Sequence, residues 1–113
     1  MSNDDIPQFA EKPAVEDEAA IARFLDRLWL ERGLSRNTQD SYRSDLSLFA
    51  RWLTPRGVEL ARAQEADIHG YFATRSRAAG SFTARSQARL LSALRQFFRH
   101  LVLDGQRKDD PSA

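Results

Sequence analysis

Six arginines, Arg75, Arg77, Arg85, Arg89, Arg95 and Arg99, fall between Asp67 and Asp104 with no acidic residue among them. A guanidinium fork meets phosphate oxygens two at a time and stacks on bases, so this acid-free stretch is a candidate nucleic-acid surface. The preference runs through the whole chain, where 15 of the 17 cationic residues are Arg. A solvated helix face would give the same charge count, so charge by itself leaves both readings open.

Other chemistry has few candidates. With no cysteine there is neither a disulfide framework nor a thiolate metal site, and two histidines, His69 and His100, are too few for a histidine cage. No serine sits in a glycine-flanked elbow and no glycine loop could cradle a phosphate. Tyr42 and Tyr71 fall on inward helix faces and read as core aromatics with the hydroxyl at the rim. The sequence therefore assigns no catalytic residue, no metal ligand, no cofactor and no small-molecule substrate.

The chain has 113 residues, 42% of them apolar, which suits one domain with a modest core. No apolar run approaches the roughly 18 to 20 residues of a membrane span, and the acidic start (Asp4, Asp5) is unlike a signal peptide. A soluble, cytoplasmic protein is expected. The net charge of +1 conceals an imbalance: residues 1–20 carry −5 and residues 21–113 carry +6.

Hydrophobic periodicity supplies the elements that must position the arginines. Residues 1–15 have Pro7, Pro13 and scattered acids without an apolar period, and are expected to be a flexible acidic leader. A first helix begins near Glu16 or Asp17, where acids favour a helix N-terminus, and buries Ile21, Phe24, Leu25, Leu28 and Trp29. Gly33 ends it in a Schellman pattern, with Leu34 folding back on Trp29.

A second helix, capped by Ser35, runs from about Arg36 to Thr54 and buries Tyr42, Leu46, Phe49 and Leu53, broadened by Leu48 and Trp52. Its other side collects Arg36, Gln39, Asp40, Arg43, Ser47 and Arg51. Asp45 lies on the edge of the apolar face, where an unpaired carboxylate is costly, so it is expected to pair with a fourth-helix arginine or with backbone N–H groups. A shorter third helix spans about Gln64 to Ala79, weakened by Gly70 and closed by Gly80. After Ser81-Phe82-Thr83, a fourth helix buries Leu90, Leu91, Leu94, Phe97, Phe98, Leu101 and Val102 and stops at Asp104-Gly105. Its polar side gathers Arg85, Arg89, Ser92, Gln96 and Arg99 into a sector about 80° wide, flanked by Arg95. The fold class is all-α, a compact four-helix domain with two long crossing helices over residues 16–107.

Arginines mixed with amide and hydroxyl side chains are what a duplex recogniser needs, and a 20-residue helix of about 30 Å can cross a major groove about 12 Å wide. The rival is a helical protein-interaction module whose arginines only keep it soluble. On the outward-facing reading, Arg89→Ala weakens DNA binding and leaves the melting temperature unchanged.

The run Leu34-Ser35-Arg36-Asn37-Thr38, followed by Tyr42, Asp45-Leu46, Phe49 and Trp52-Leu53, resembles the "S-x-N-T, Y-x-x-D-L, F, W-L" pattern of the N-terminal, core-binding (SAM-like) domain of tyrosine recombinases, the phage integrase family. The run Arg89 to Phe98 is similar to that domain's "R-x-L-S-A-L-R-x-F-F" segment. The ending Asp109-Asp110-Pro111-Ser112-Ala113 resembles the linker before the catalytic domain. Within the family, the Trp29-Leu30-Glu31 turn, the Ala88 to Ser92 segment and this ending are most similar to the recombinases that resolve chromosome dimers.

The resemblance covers about residues 20 to 113. It implies a parent protein that cuts and rejoins DNA through a phosphotyrosine link made by a C-terminal catalytic domain. This chain would then be a non-catalytic fragment, with residues 108–113 starting the linker. The resemblance further implies double-stranded DNA held by the second and fourth helices, and sister recombinase subunits in a tetrameric synapse. Carried over by position, Thr38, Arg43, Arg89 and Arg95 match DNA-contacting positions; Arg36, Gln39, Ser86, Gln96 and Arg99 follow from their facing. Ser92 lies in the same polar sector. Arg85 stands where many relatives have a small polar residue, and the acidic leader has no counterpart.

Overall fold

In the computed structural model, which describes residues 8–78, 80 and 82–113, the backbone forms four α-helices and two short 3-10 turns. The helices are α1 (Val15–Arg32), α2 (Arg36–Leu53), α3 (Glu65–Arg77) and α4 (Ala84–Leu103), and no strand occurs among the described residues. The all-α, four-helix expectation holds. Residues 1–7, Ala79 and Ser81 lie outside the described residues, and with them the start of the expected leader, the last residue of the expected third helix and the first of the approach to the fourth.

Local chemistry sets the ends. The Ser35 hydroxyl accepts from Thr38 N–H at 3.2 Å, and the Thr83 hydroxyl from Ser86 N–H at 3.1 Å, each satisfying one orphan donor of a helix N-terminus. At α3 the Asp67 carboxylate accepts from Gln64 N–H at 2.7 Å. Gly33 (φ 58°) closes α1 by one bond from its N–H to Trp29 C=O, 2.8 Å, so the stop is the simpler αL motif rather than the Schellman pattern. Trp29 is 52% exposed, contrary to its expected place in the core, while Leu34 packs on the core.

α2 is the central rod and touches the other three helices. Leu46, Phe49, Ala50 and Leu53 are fully enclosed, α1 adds Ile21, Phe24 and Leu25, and α4 adds Leu90, Leu94, Phe97 and Phe98. Aromatic rings lock the joints: Phe24 meets Phe97 edge-on at 5.5 Å, and Phe49 lies 4.9 Å from Tyr71. Gly70, which weakens α3 on propensity, admits the Trp52 indole; a Cβ there would sit 3.1 Å from its ring.

Two expectations need correction. Residues 8–14 are not a leader without fixed structure: Ala10 N–H donates to Arg51 C=O at 2.8 Å, Arg51 Nε donates to Ala10 C=O at 2.7 Å, and Phe9 lies 6.4 Å from Tyr71. Pairing of these backbone groups and burial of one ring tie the segment down. Asp17, expected in the first turn for its favourable charge at a helix N-terminus, is instead 1% exposed, and its Oδ1 accepts from Leu60 N–H at 3.0 Å, fixing the 3-10 turn Leu60–Arg62 to α1.

The far end also folds back. Arg107 donates to the carbonyls of Ala61 and Ala63 at 3.1 and 2.9 Å and lies 5.0 Å from the Phe98 ring centre. Beyond it, Pro111 and Ser112 are buried.

Candidate nucleic-acid interface

The polar sector of α4 does not lie diametrically opposite the core. Its Arg89, Ser92 and Gln96 meet Tyr42 and Asp45 of α2 in a hydrogen-bonded seam. Asp45 is paired with a fourth-helix arginine as expected: Arg89 Nε donates to Oδ2 at 2.8 Å and Nη2 to Oδ1 at 2.9 Å. The carboxylate is almost enclosed, with a side-chain exposure of 10%, whereas the arginine side chain keeps 46%. Asp45 raises the Arg89 pKa through these bonds, so the guanidinium stays charged.

Beyond this pair, the Tyr42 hydroxyl lies 3.0 Å from Ser92 Oγ and accepts from Gln96 Nε2 at 2.9 Å. Gln96 Oε1 in turn accepts from Arg32 Nη1 at 3.3 Å. Buried polar atoms need partners, and here the two helices supply them to each other. Ser92 and Gln96, expected to face a ligand, thus spend polar capacity inside the protein, and the neutralisation of Arg89 alters its expected free outward role. An expectation of unchanged melting after Arg89→Ala no longer follows, since truncation would strand a nearly enclosed carboxylate.

Around the seam the other expected residues divide by exposure. Arg36, Arg43, Arg85, Arg95 and Arg99 are exposed, and none has a carboxylate within 4.0 Å among the described residues. Thr38, Gln39 and Ser86 are half-buried; Thr38 and Ser86 bond the caps Ser35 and Thr83 at 3.0 and 3.1 Å. Several other arginines are structural. Arg56 stacks on Trp52 at 3.8 Å, Arg75 lies 4.5 Å from the Phe82 ring centre, and Arg51, grouped with the outward residues of α2, serves residues 8–14. The raw arginine count therefore overstates the free cationic surface.

Tyr42 and Asp45 are structural as expected, a buried aromatic with its hydroxyl at the rim and a carboxylate paired with a fourth-helix arginine, and both contribute to the seam. Their signal was their place at the border of the α2 apolar face. The histidines add nothing to it: His69 is exposed beside Glu65, and His100, 15% exposed at the side chain, turns toward Phe24 and Asp104. No group of three metal-ligating side chains occurs among the described residues, and none of their helices is long and apolar enough to cross a membrane.

Residues 21–105 match the family model for the phage integrase, N-terminal SAM-like domain. Over 98 residues the chain is 48% identical to tyrosine recombinase XerD of Xanthomonas campestris pv. campestris, 45% to that of Yersinia pestis and 42% to that of Proteus mirabilis, each alignment covering 87% of this chain. The chain spans 30 to 32% of the length of these curated relatives. The family model spans most of the chain, which therefore belongs to the phage integrase N-terminal SAM-like domain family and is similar to tyrosine recombinases of the XerD kind.

Proposed function

We propose that this domain grips duplex DNA through α2 and α4, as the non-catalytic, core-binding part of a tyrosine recombinase acting in site-specific recombination and chromosome dimer resolution. The observation that carries the reading is the set of five exposed arginines without carboxylate partners, Arg36, Arg43, Arg85, Arg95 and Arg99, on two helices joined by a polar seam. Exposed, unpaired guanidinium groups suit phosphate, and α4, with 20 residues, has the reach to cross a groove.

The similarity to XerD supports a wider proposal for the parent protein: strand exchange at a double-stranded recombination site, chemistry supplied by a separate catalytic domain, and sister subunits, including an XerC-like partner, in a tetrameric synapse. This domain supplies grip. DNA cleavage is not assigned to it, and incubation with suicide DNA substrates is expected to leave no covalent adduct.

Fluorescence anisotropy on a labelled duplex at several salt concentrations tests the grip. With about five phosphates neutralised, log affinity falls against log salt with a slope near −4 to −5, from a Kd on the order of 10⁻⁵ M. A protein-interaction module would show no such binding.

A further inference from the structure

From the Asp45–Arg89 geometry we infer that Arg89 is a base-reading residue, presenting a guanidinium edge to the N7 and O6 of a guanine, and that Asp45 is its positioning residue. The inference rests on the DNA reading above and adds to it a division of labour among the arginines.

A guanidinium has two edges that can each make a pair of parallel hydrogen bonds. Asp45 occupies the edge formed by Nε and Nη2, at 2.8 and 2.9 Å. The other edge, formed by Nη1 and the second hydrogen of Nη2, makes no hydrogen bond among the described residues, and the side chain is 46% exposed. The nearly enclosed carboxylate fixes the plane of the guanidinium, so its free donors keep one direction.

Direction and charge separate base from phosphate. The Asp45–Arg89 pair is formally neutral and pulls on a phosphate less than a lone arginine does. Arg85 and Arg95 lie on the same helix without carboxylate partners and suit the backbone better. A fixed pair of coplanar donors instead matches the two coplanar acceptors that guanine alone offers in the major groove. The adjoining Tyr42, Ser92 and Gln96 bonds hold α4 in register on α2, which keeps the arginine in place.

The test is selection from a randomised duplex pool by this 113-residue chain, its Arg89→Lys variant and its Asp45→Asn variant, with thermal melts of each. The wild-type pool should enrich a guanine at one position. Arg89→Lys, which keeps the charge and loses the fork, should abolish that preference while still binding unselected duplex, and Asp45→Asn should blunt it. The unmodified protein supplies a second arm: 7-deazaguanine at the enriched position, which lacks the N7 acceptor, should weaken binding about fivefold or more.

Binding with no guanine preference, a preference that survives Arg89→Lys, or indifference to 7-deazaguanine overturns the inference and leaves the DNA grip standing. Where the melts show that Arg89→Lys or Asp45→Asn does not fold, the 7-deazaguanine arm decides. Failure of the wild-type chain to bind any duplex at tens of micromolar sinks the grip and this inference together.

Discussion

Arg89 on α4 and Asp45 on α2 form a two-bonded ion pair, 2.8 and 2.9 Å, at the crossing of the two helices. One member is nearly enclosed and the other half exposed, so the pair belongs to the packing of α2 on α4 and, on the proposal above, to DNA recognition as well. Breaking it should therefore be felt in both.

Arg89→Ala should destabilise the domain by about 1–3 kcal/mol, because the nearly enclosed Asp45 carboxylate loses its partner. The exposure of the arginine keeps the cost below that of a fully buried pair. In urea unfolding, the double variant Asp45→Ala/Arg89→Ala should lose less than the sum of the two single changes. Strict additivity would show that the pair carries no coupling.

Leu94→Ala should cost roughly 2–5 kcal/mol through a core cavity, since Leu94 is fully buried on α4. DNA affinity measured well below the melting temperature should be nearly unchanged. A variant as stable as the wild type would mean that α4 is not packed as described.

Gly70→Ala offers about 1 kcal/mol of helix propensity. The new Cβ would stand 3.1 Å from a Trp52 ring that is hemmed in by Phe49, Tyr71 and Arg56. Crowding of this kind costs about 1–3 kcal/mol, so the melting temperature should fall. A rise would show that the indole can slide.

Two aspartates give opposite pH signatures. Burial raises the Asp17 pKa, against the Leu60 N–H bond that lowers it, and the charges of Glu59 and Glu16 add to the rise. A raised folded-state pKa contributes stability that is fully present below the unfolded value, about 3.9, and is lost as pH rises through the folded value. Asp17→Asn keeps an oxygen for Leu60 and avoids this loss, so its melting temperature should gain on the wild type as pH rises from about 4. Asp104 has its pKa lowered by the Arg27 hydrogen bond, 2.6 Å long. Its contribution is present above about pH 3.9 and is lost as pH falls through the folded value, so the deficit of Asp104→Asn should close in acid. Parallel pH profiles for both variants and the wild type would contradict the assignments.

Much of this was legible in the residues. Ser35 and Gly33 declare helix ends because each does a job few residue types do at that place. Asp45 announced its partner because a carboxylate among apolar neighbours must find one. What stayed hidden depends on contacts between distant segments. Phe9 has no apolar period around it to reveal that it reaches Tyr71, and Asp17 is indistinguishable in sequence from Glu16 and Glu18, which stay exposed. Periodicity placed Arg89, Ser92 and Gln96 on one sector of α4, yet the crossing with α2 decided that this sector is a seam.

The most direct measurement is the salt slope of DNA binding for single arginine variants. Arg43→Gln, Arg85→Gln, Arg95→Gln and Arg99→Gln should each flatten the slope by about 0.9, one phosphate apiece. Arg62→Gln, which removes an arginine already paired with Glu59 on the turn Leu60–Arg62, should leave it unchanged. Equal slopes for all five variants, or a slope of zero for the wild type, would contradict a grip made by α2 and α4.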